Sequence, residues 1–184
     1  LKILALLGVP VRVWPRAPKS MNLKNNINII YITTSEKGPS GGAKIIYSHS
    51  EQINKLNIKN LTSEVVHIKK RKTSKWKSSI KKAFSFELPK YSGWNASDIT
   101  VDKNFREKWF KSKVRIKKDL NFDQKKDFVI FPEIFSHFAE KLCIKKKIPY
   151  AIFALNGYSL NPTNDIKTLE NVYKSSKFIL SVSQ

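Results

Sequence analysis

Several short runs of this chain are β-rich and apolar at consecutive positions, and stretches with helical spacing separate most of them. The runs are Asn28–Thr34 (NIIYITT), Glu64–Ile68 (EVVHI), Asp127–Phe131 (DFVIF), Pro149–Leu155 (PYAIFAL) and Phe178–Val182 (FILSV). They lack the polar alternation of a strand that shows one side to water. Between them, Ala43–Leu56 places Ile46, Ser50, Ile53 and Leu56 on one helical face. Ile134–Ile144 points Phe135, Phe138, Ala139 and Leu142 inward, and Ile166–Lys174 reads as a further helix. Strands buried on both sides and alternating with helices predict an α/β fold, a parallel sheet with helices on both faces. Residues 69–126 are basic and broken by Pro89 and Gly93, with helices expected near Ser74–Phe86 and Asn104–Lys113. No internal repeat is visible.

Composition narrows the class. The 184 residues are 41% hydrophobic, enough for a sizeable core. Lys and Arg number 35 against 14 Asp and Glu, a net charge of +21. Only 5 of the bases are Arg, and the chain is rich in Asn and Ile, a bias that fits AT-rich codon usage. Base readout and bidentate phosphate clamps favour Arg, so nucleic acid is an unlikely partner, while attraction to anionic lipid or phosphorylated substrates survives. The single cysteine, Cys143, excludes an internal disulfide and supplies no zinc cluster. At the end of an apolar helix face it reads as a small buried hydrophobe. No apolar run reaches the roughly 18 residues of a membrane-spanning helix. The expectation is a cytoplasmic protein, with peripheral contact on the inner face of the membrane.

Residues 1–20 (LKILALLGVPVRVWPRAPKS) differ in style, with three Pro, two of the five Arg, no Asn and no acid. Met21 is expected as the true start, with the leader translated upstream sequence or a foreign remnant. A targeting segment and a native terminal strand are the alternatives. At the other end FILSVSQ stops just after a strand-like run. The expectation is a domain over 21–184 that is cut short.

The first strand runs into G-P-S-G-G and straight into a helix. Two glycines at a helix start let a ligand approach the backbone, and free N–H groups with the helix dipole favour phosphate there. The loop lacks both the G-x-G-x-x-G spacing and the G-K-[ST] ending of the common nucleotide loops. Its plain reading is a turn with a helix cap.

The segment INIIYITTSEKGPSGGAKIIYSHSEQINKLN resembles the opening of GT-B fold glycosyltransferases of the retaining family 4 / group 1 type, in which a first strand leads to a Gly-Gly-Ala helix start. KKDFVIFPEIFSHFAEKLCIKKKIPYAIFALNG looks like that family's fourth strand, helix and following strand. LENVYKSSKFILSVSQ looks like its helix and strand ending in Val-Ser. The resemblance covers about residues 27–56 and 127–184 and implies a Rossmann-like, acceptor-side domain truncated before the donor-binding domain. It implies sugar transfer from a nucleotide-diphosphate sugar to an acceptor such as a cell-surface glycan or lipid, without an obligatory metal and with no bound cofactor. By the same resemblance, Gly41 and Gly42 would back onto the donor diphosphate, and Asn156, Gly157 and Glu133 would line the acceptor side. Asn156 stands where the family often has His, and the segment 69–126 does not align.

Other residues carry their own readings. His49, His67 and His137 sit without partners at metal-ligand or triad spacing and read as structural or surface residues. Glu133, just past a strand and Pro132, suits either acceptor contact or capping of the next helix. In 69–86, Trp76, Ile80, Ala83 and Phe84 share a helical face ringed by bases, including Lys77 and Lys81. That is a basic amphipathic helix for a membrane interface, or else an ordinary surface helix packing its rings on the domain. The reading from a different class is therefore a non-catalytic Rossmann-like module that binds anionic membrane or nucleic acid through a basic face.

Overall fold

The computed structural model describes residues 25–35, 38, 40–71, 94–108, 111–155 and 165–181. The leader and the segment holding Trp76, Lys77, Ile80, Lys81 and Phe84 lie outside the described residues, as do Asn156 and Gly157.

The elements are β1 (Ile27–Thr34), α1 (Gly41–Lys55), β2 (Leu61–Lys70), β3 (Ile99–Val101), β4 (Arg115–Ile116), β5 (Asp127–Pro132), α2 (Ala139–Leu142), β6 (Tyr150–Ala154), α3 (Ile166–Ser175) and β7 (Ile179–Ser181). The strand order is β3-β2-β1-β5-β6-β7, with β4 also paired to β2. The five strands expected from the sequence pair parallel throughout. Counting only parallel strands, the order is β4-β2-β1-β5-β6-β7, the doubly wound arrangement of a Rossmann-like fold.

Both faces of the central strands are indeed buried. Ile30 and Ile32 of β1, Val66 and Ile68 of β2, Val129 and Phe131 of β5 and Ile152 of β6 enter one core. There they meet Phe135, Phe138, Ala139 and Leu142 before β6, and Leu169, Val172 and Tyr173 of α3. The intervening Tyr31, Val65, Ile130, Ala151 and Phe153 enter the other core with Ile46 and Tyr47 of α1. Cys143 is fully buried in the first core, and burial pushes its thiol up.

Several element details differ from the sequence expectations. The stretch expected as a helix over Ile134–Ile144 is a 3-10 turn, Glu133–Phe138, then the short α2, then a second 3-10 turn, Ile144–Lys146. The inward residues are those expected. Leu56 does not join the buried face of α1; it caps the helix and stands 63% exposed, while Ala43 and Tyr47 complete the stripe.

The expectation of a helix over Asn104–Lys113 is overturned, since the described residues of that stretch are not helical. The chain there serves the sheet edge. Asp102 N–H donates to His67 O at 2.8 Å, the Phe105 ring packs on His67, and Lys117 N–H donates to Val65 O at 3.0 Å. β3, antiparallel to the end of β2, was not foreseen.

Polar side chains fix the amino ends. Asn28 donates to Glu64 Oε2 at 2.9 Å and Thr62 donates to Asn28 Oδ1 at 3.1 Å, tying β1 to β2. Asn54, near the end of α1, accepts from Ser63 N–H at 2.8 Å and donates to Ser63 O at 3.0 Å.

Phe131, fully buried in β5, reports on the core. Phe131→Ala should cost about 3–5 kcal/mol of unfolding free energy, measured by urea denaturation. A loss under about 1 kcal/mol would mean that this strand is not central.

Candidate functional site

Strand order decides where a ligand can sit. From β1 the chain crosses through α1 to β2 on one side, while the strand on the other side of β1 is β5, which leads on to β6. Because such crossovers are right-handed, the connecting helices fall on opposite faces, and a crevice opens where the direction reverses. That point lies at the carboxyl ends of β1 and β5, where the chain leaves β1 for Ser35, begins α1 at Gly41, and leaves β5 at Glu133.

Ser40 caps α1. Its backbone is extended and its Oγ accepts from Ala43 N–H at 3.2 Å. Gly41 and Gly42 occupy the first two helical positions, where N–H groups have no partner within the helix. No acid stands in the first turn, so the positive end of the helix dipole is not neutralised locally.

The two glycines are not equivalent. A Cβ on Gly41 would meet nothing within 4 Å, whereas one on Gly42 would lie 3.2 Å from Leu155 Cδ1. Gly42 lets α1 approach the end of β6, and Gly41 leaves the backbone open.

Leu155 is itself held. Its N–H donates to Glu133 Oε2 at 2.8 Å. Glu133 is only 2% exposed, and a carboxylate so buried must be compensated by donors. Glu133, Leu155 and Gly42 thus fasten the ends of β5 and β6 to the start of α1. Asn156 and Gly157, which follow at once in sequence, fall outside the described residues.

A second polar cluster lies at the carboxyl end of β2. His67 is fully buried, with Nε2 2.6 Å from Tyr47 Oη and its ring 4.8 Å from that of Phe105. Nδ1 has no partner among the described residues. Burial first, then the Arg106 charge, lower its pKa to about 4, with Asp102 opposing. His67 is therefore neutral at pH 7. Burial also raises Tyr47 well above the usual phenol range.

The sequence placed His67 on a strand but gave no sign of Tyr47 as its partner. The only signal was helical spacing, which puts Ala43, Ile46, Tyr47 and Ser50 on one face. His49 stacks on Phe153 at 5.0 Å, and His137 Nε2–H donates to Trp94 O at 2.8 Å. Among the described residues no group of three or more His, Cys, Asp or Glu could hold a metal ion. No described helix is long and apolar enough to cross a membrane.

At the opposite end of the sheet a crevice of about 420 Å³ is lined by Asn28, Thr62, Glu64, Arg115, Lys126 and Asp127. Asn28, Thr62 and Glu64 are bonded to one another there, which makes this network a register clamp.

Two outcomes are expected. Gly41→Ala should be neutral or stabilising by up to about 1 kcal/mol, since the new methyl meets nothing and the unfolded chain loses freedom. Gly42→Ala must displace Leu155, so the pair Gly42→Ala and Leu155→Ala should be non-additive in a double-mutant cycle, and additivity would remove the contact. The second outcome concerns pH. A histidine held neutral in the folded state supports stability above its unfolded pKa, near 6.5. That support is lost as pH falls towards about 4, by roughly 3 kcal/mol in all. His67→Asn should flatten this part of the pH–stability curve, and an unchanged slope would locate the acid sensitivity elsewhere.

Comparison with known proteins finds no matching family model, no similar curated protein and no similar solved structure.

Proposed function

We propose that this chain is the amino-terminal, acceptor-side part of a sugar-transferring enzyme whose donor is a nucleotide-diphosphate sugar. One observation carries the reading: an open Gly41 at the start of a 15-residue helix, where the first N–H groups have no partner within the helix, set at the reversal of strand order. A leaving diphosphate gains negative charge as the sugar bond breaks, and fixed N–H dipoles aimed at it stabilise that charge. The resemblance of the segments around Gly41-Gly42, Glu133 and Ile179–Ser181 to GT-B enzymes supports the same reading.

Each residue then has a role. Gly41 and Gly42 present backbone donors to the diphosphate, and Gly42 also seats α1 against Leu155. Glu133 fixes Leu155 at the end of β6, and Asn156 and Gly157, which follow it in sequence, would contact the acceptor. A second domain brings the donor, so this chain alone transfers no sugar, because donor and acceptor must be held together for the reaction. The resemblance to GT-B enzymes further implies that the transfer has no obligatory metal.

The test uses the complete enzyme with a panel of nucleotide-diphosphate sugars. Gly41→Val places a side chain in the open approach, and its Cβ meets nothing within 4 Å. It should cost about 2–4 kcal/mol of transition-state stabilisation, read as kcat/KM, while the thermal midpoint stays near that of the parent. Activity unaffected by Gly41→Val would sink the reading, and so would transfer by this chain alone.

A further inference from the structure

A row of positive charge runs along the open edge of the sheet. Exposure alternates from Lys111 to Ile116: Lys111, Lys113 and Arg115 are exposed, while Ser112, Val114 and Ile116 are half-buried. Val114 and Ile116 pack on the core beneath α1. Val114 and Ile116 are anchored in that core, and Lys111, Lys113 and Arg115, which alternate with the half-buried positions, are the exposed ones. β4 is bonded to β2 alone among the described strands.

These cations differ from many lysines elsewhere on the molecule. Lys55 pairs with Glu51, Lys69 with Asp102, Lys126 with Asp123 and Lys174 with Glu170. Lys117, half-buried just past β4, is bridged to Asp119 at 3.2 Å. Lys111 and Lys113 have no carboxylate partner among the described residues, and Arg115, which lies beside Glu64 in the register of β4 on β2, forms no ion pair with it. Lys103, Arg106 and Lys108, earlier in the sequence, are also exposed, with Asp102 and Glu107 among them.

We propose that this edge docks on an anionic phospholipid surface, with the cation row meeting headgroup phosphates. Charge complementarity argues for an anionic partner, and residue type selects the lipid. Two of the three are Lys, compact charges on flexible stems that follow mobile headgroups, whereas base readout and bidentate phosphate clamps favour Arg. The inference is independent of sugar transfer and concerns residues other than the glycine turn.

The experiment is co-sedimentation of the chain with phosphatidylcholine vesicles, with and without phosphatidylglycerol, at low and high salt. Binding should require the anionic lipid and weaken with salt. Each cation near the surface contributes about fivefold, so the triple variant Lys111→Gln, Lys113→Gln, Arg115→Gln should bind about 100-fold more weakly. A control triple at the exposed Lys141, Lys145 and Lys146 removes the same charge and should leave binding nearly unchanged. Circular dichroism checks that both variants fold, and Lys113→Glu alone serves if the triple does not. Equal losses in the two triples would mean diffuse charge and overturn the proposal. So would a parent that ignores anionic vesicles, or an oligonucleotide that displaces the vesicles and loses its own binding in the edge triple.

Discussion

The structure depends on burying both faces of the same strands. β1 and β5 lie in the middle of the sheet, and their side chains alternate between two cores with almost no exposed position. Such strands need cover above and below, and a right-handed crossover can supply both only by running one way from β1 and the other way from β5. The crevice at the carboxyl ends of β1 and β5 is a by-product of that solution. It exists because α1 and the elements before β6 are forced to opposite faces.

The same constraint explains the shape of the candidate site. Loops diverging from the centre of a sheet leave the strand ends in need of cross-ties, and Glu133 supplies one from β5 to the end of β6. Leu155 passes the tie on to α1 by resting where Gly42 has no side chain. The end of β6 is thereby set by a side chain of the buried scaffold rather than by solvent-exposed contacts. The open side of this arrangement is Gly41, so packing and access are divided between neighbouring residues.

The central architecture was legible because its signals are local and redundant. The five parallel strands are continuous apolar runs, and the glycine pair sits at the expected helix start. The edge was illegible for a physical reason. A strand of two residues at Arg115–Ile116 buries too little to leave an apolar run, and pervasive lysine hides the period-two pattern of Lys111–Ile116. Asn104–Lys113 mixes charge and rings in a way that suits a helix, yet Phe105 is committed to the His67 ring across the fold. The roles of Tyr47, Leu155 and Glu133 are tertiary contacts spanning about twenty residues or more in sequence, which no local periodicity encodes.

Asn54 has an effect beyond joining α1 to β2. The N–H and C=O of Ser63 point towards the side of β2 on which β4 bonds, one residue before β4 begins. There the side-chain amide of Asn54 offers one acceptor and one donor, the pair a neighbouring strand would present. It acts as a one-residue false strand. An incoming segment from another molecule finds those groups already taken, and beyond them meets the charges of Lys113 and Arg115. At Ser63 the edge thus leaves another strand neither donor nor acceptor to add to.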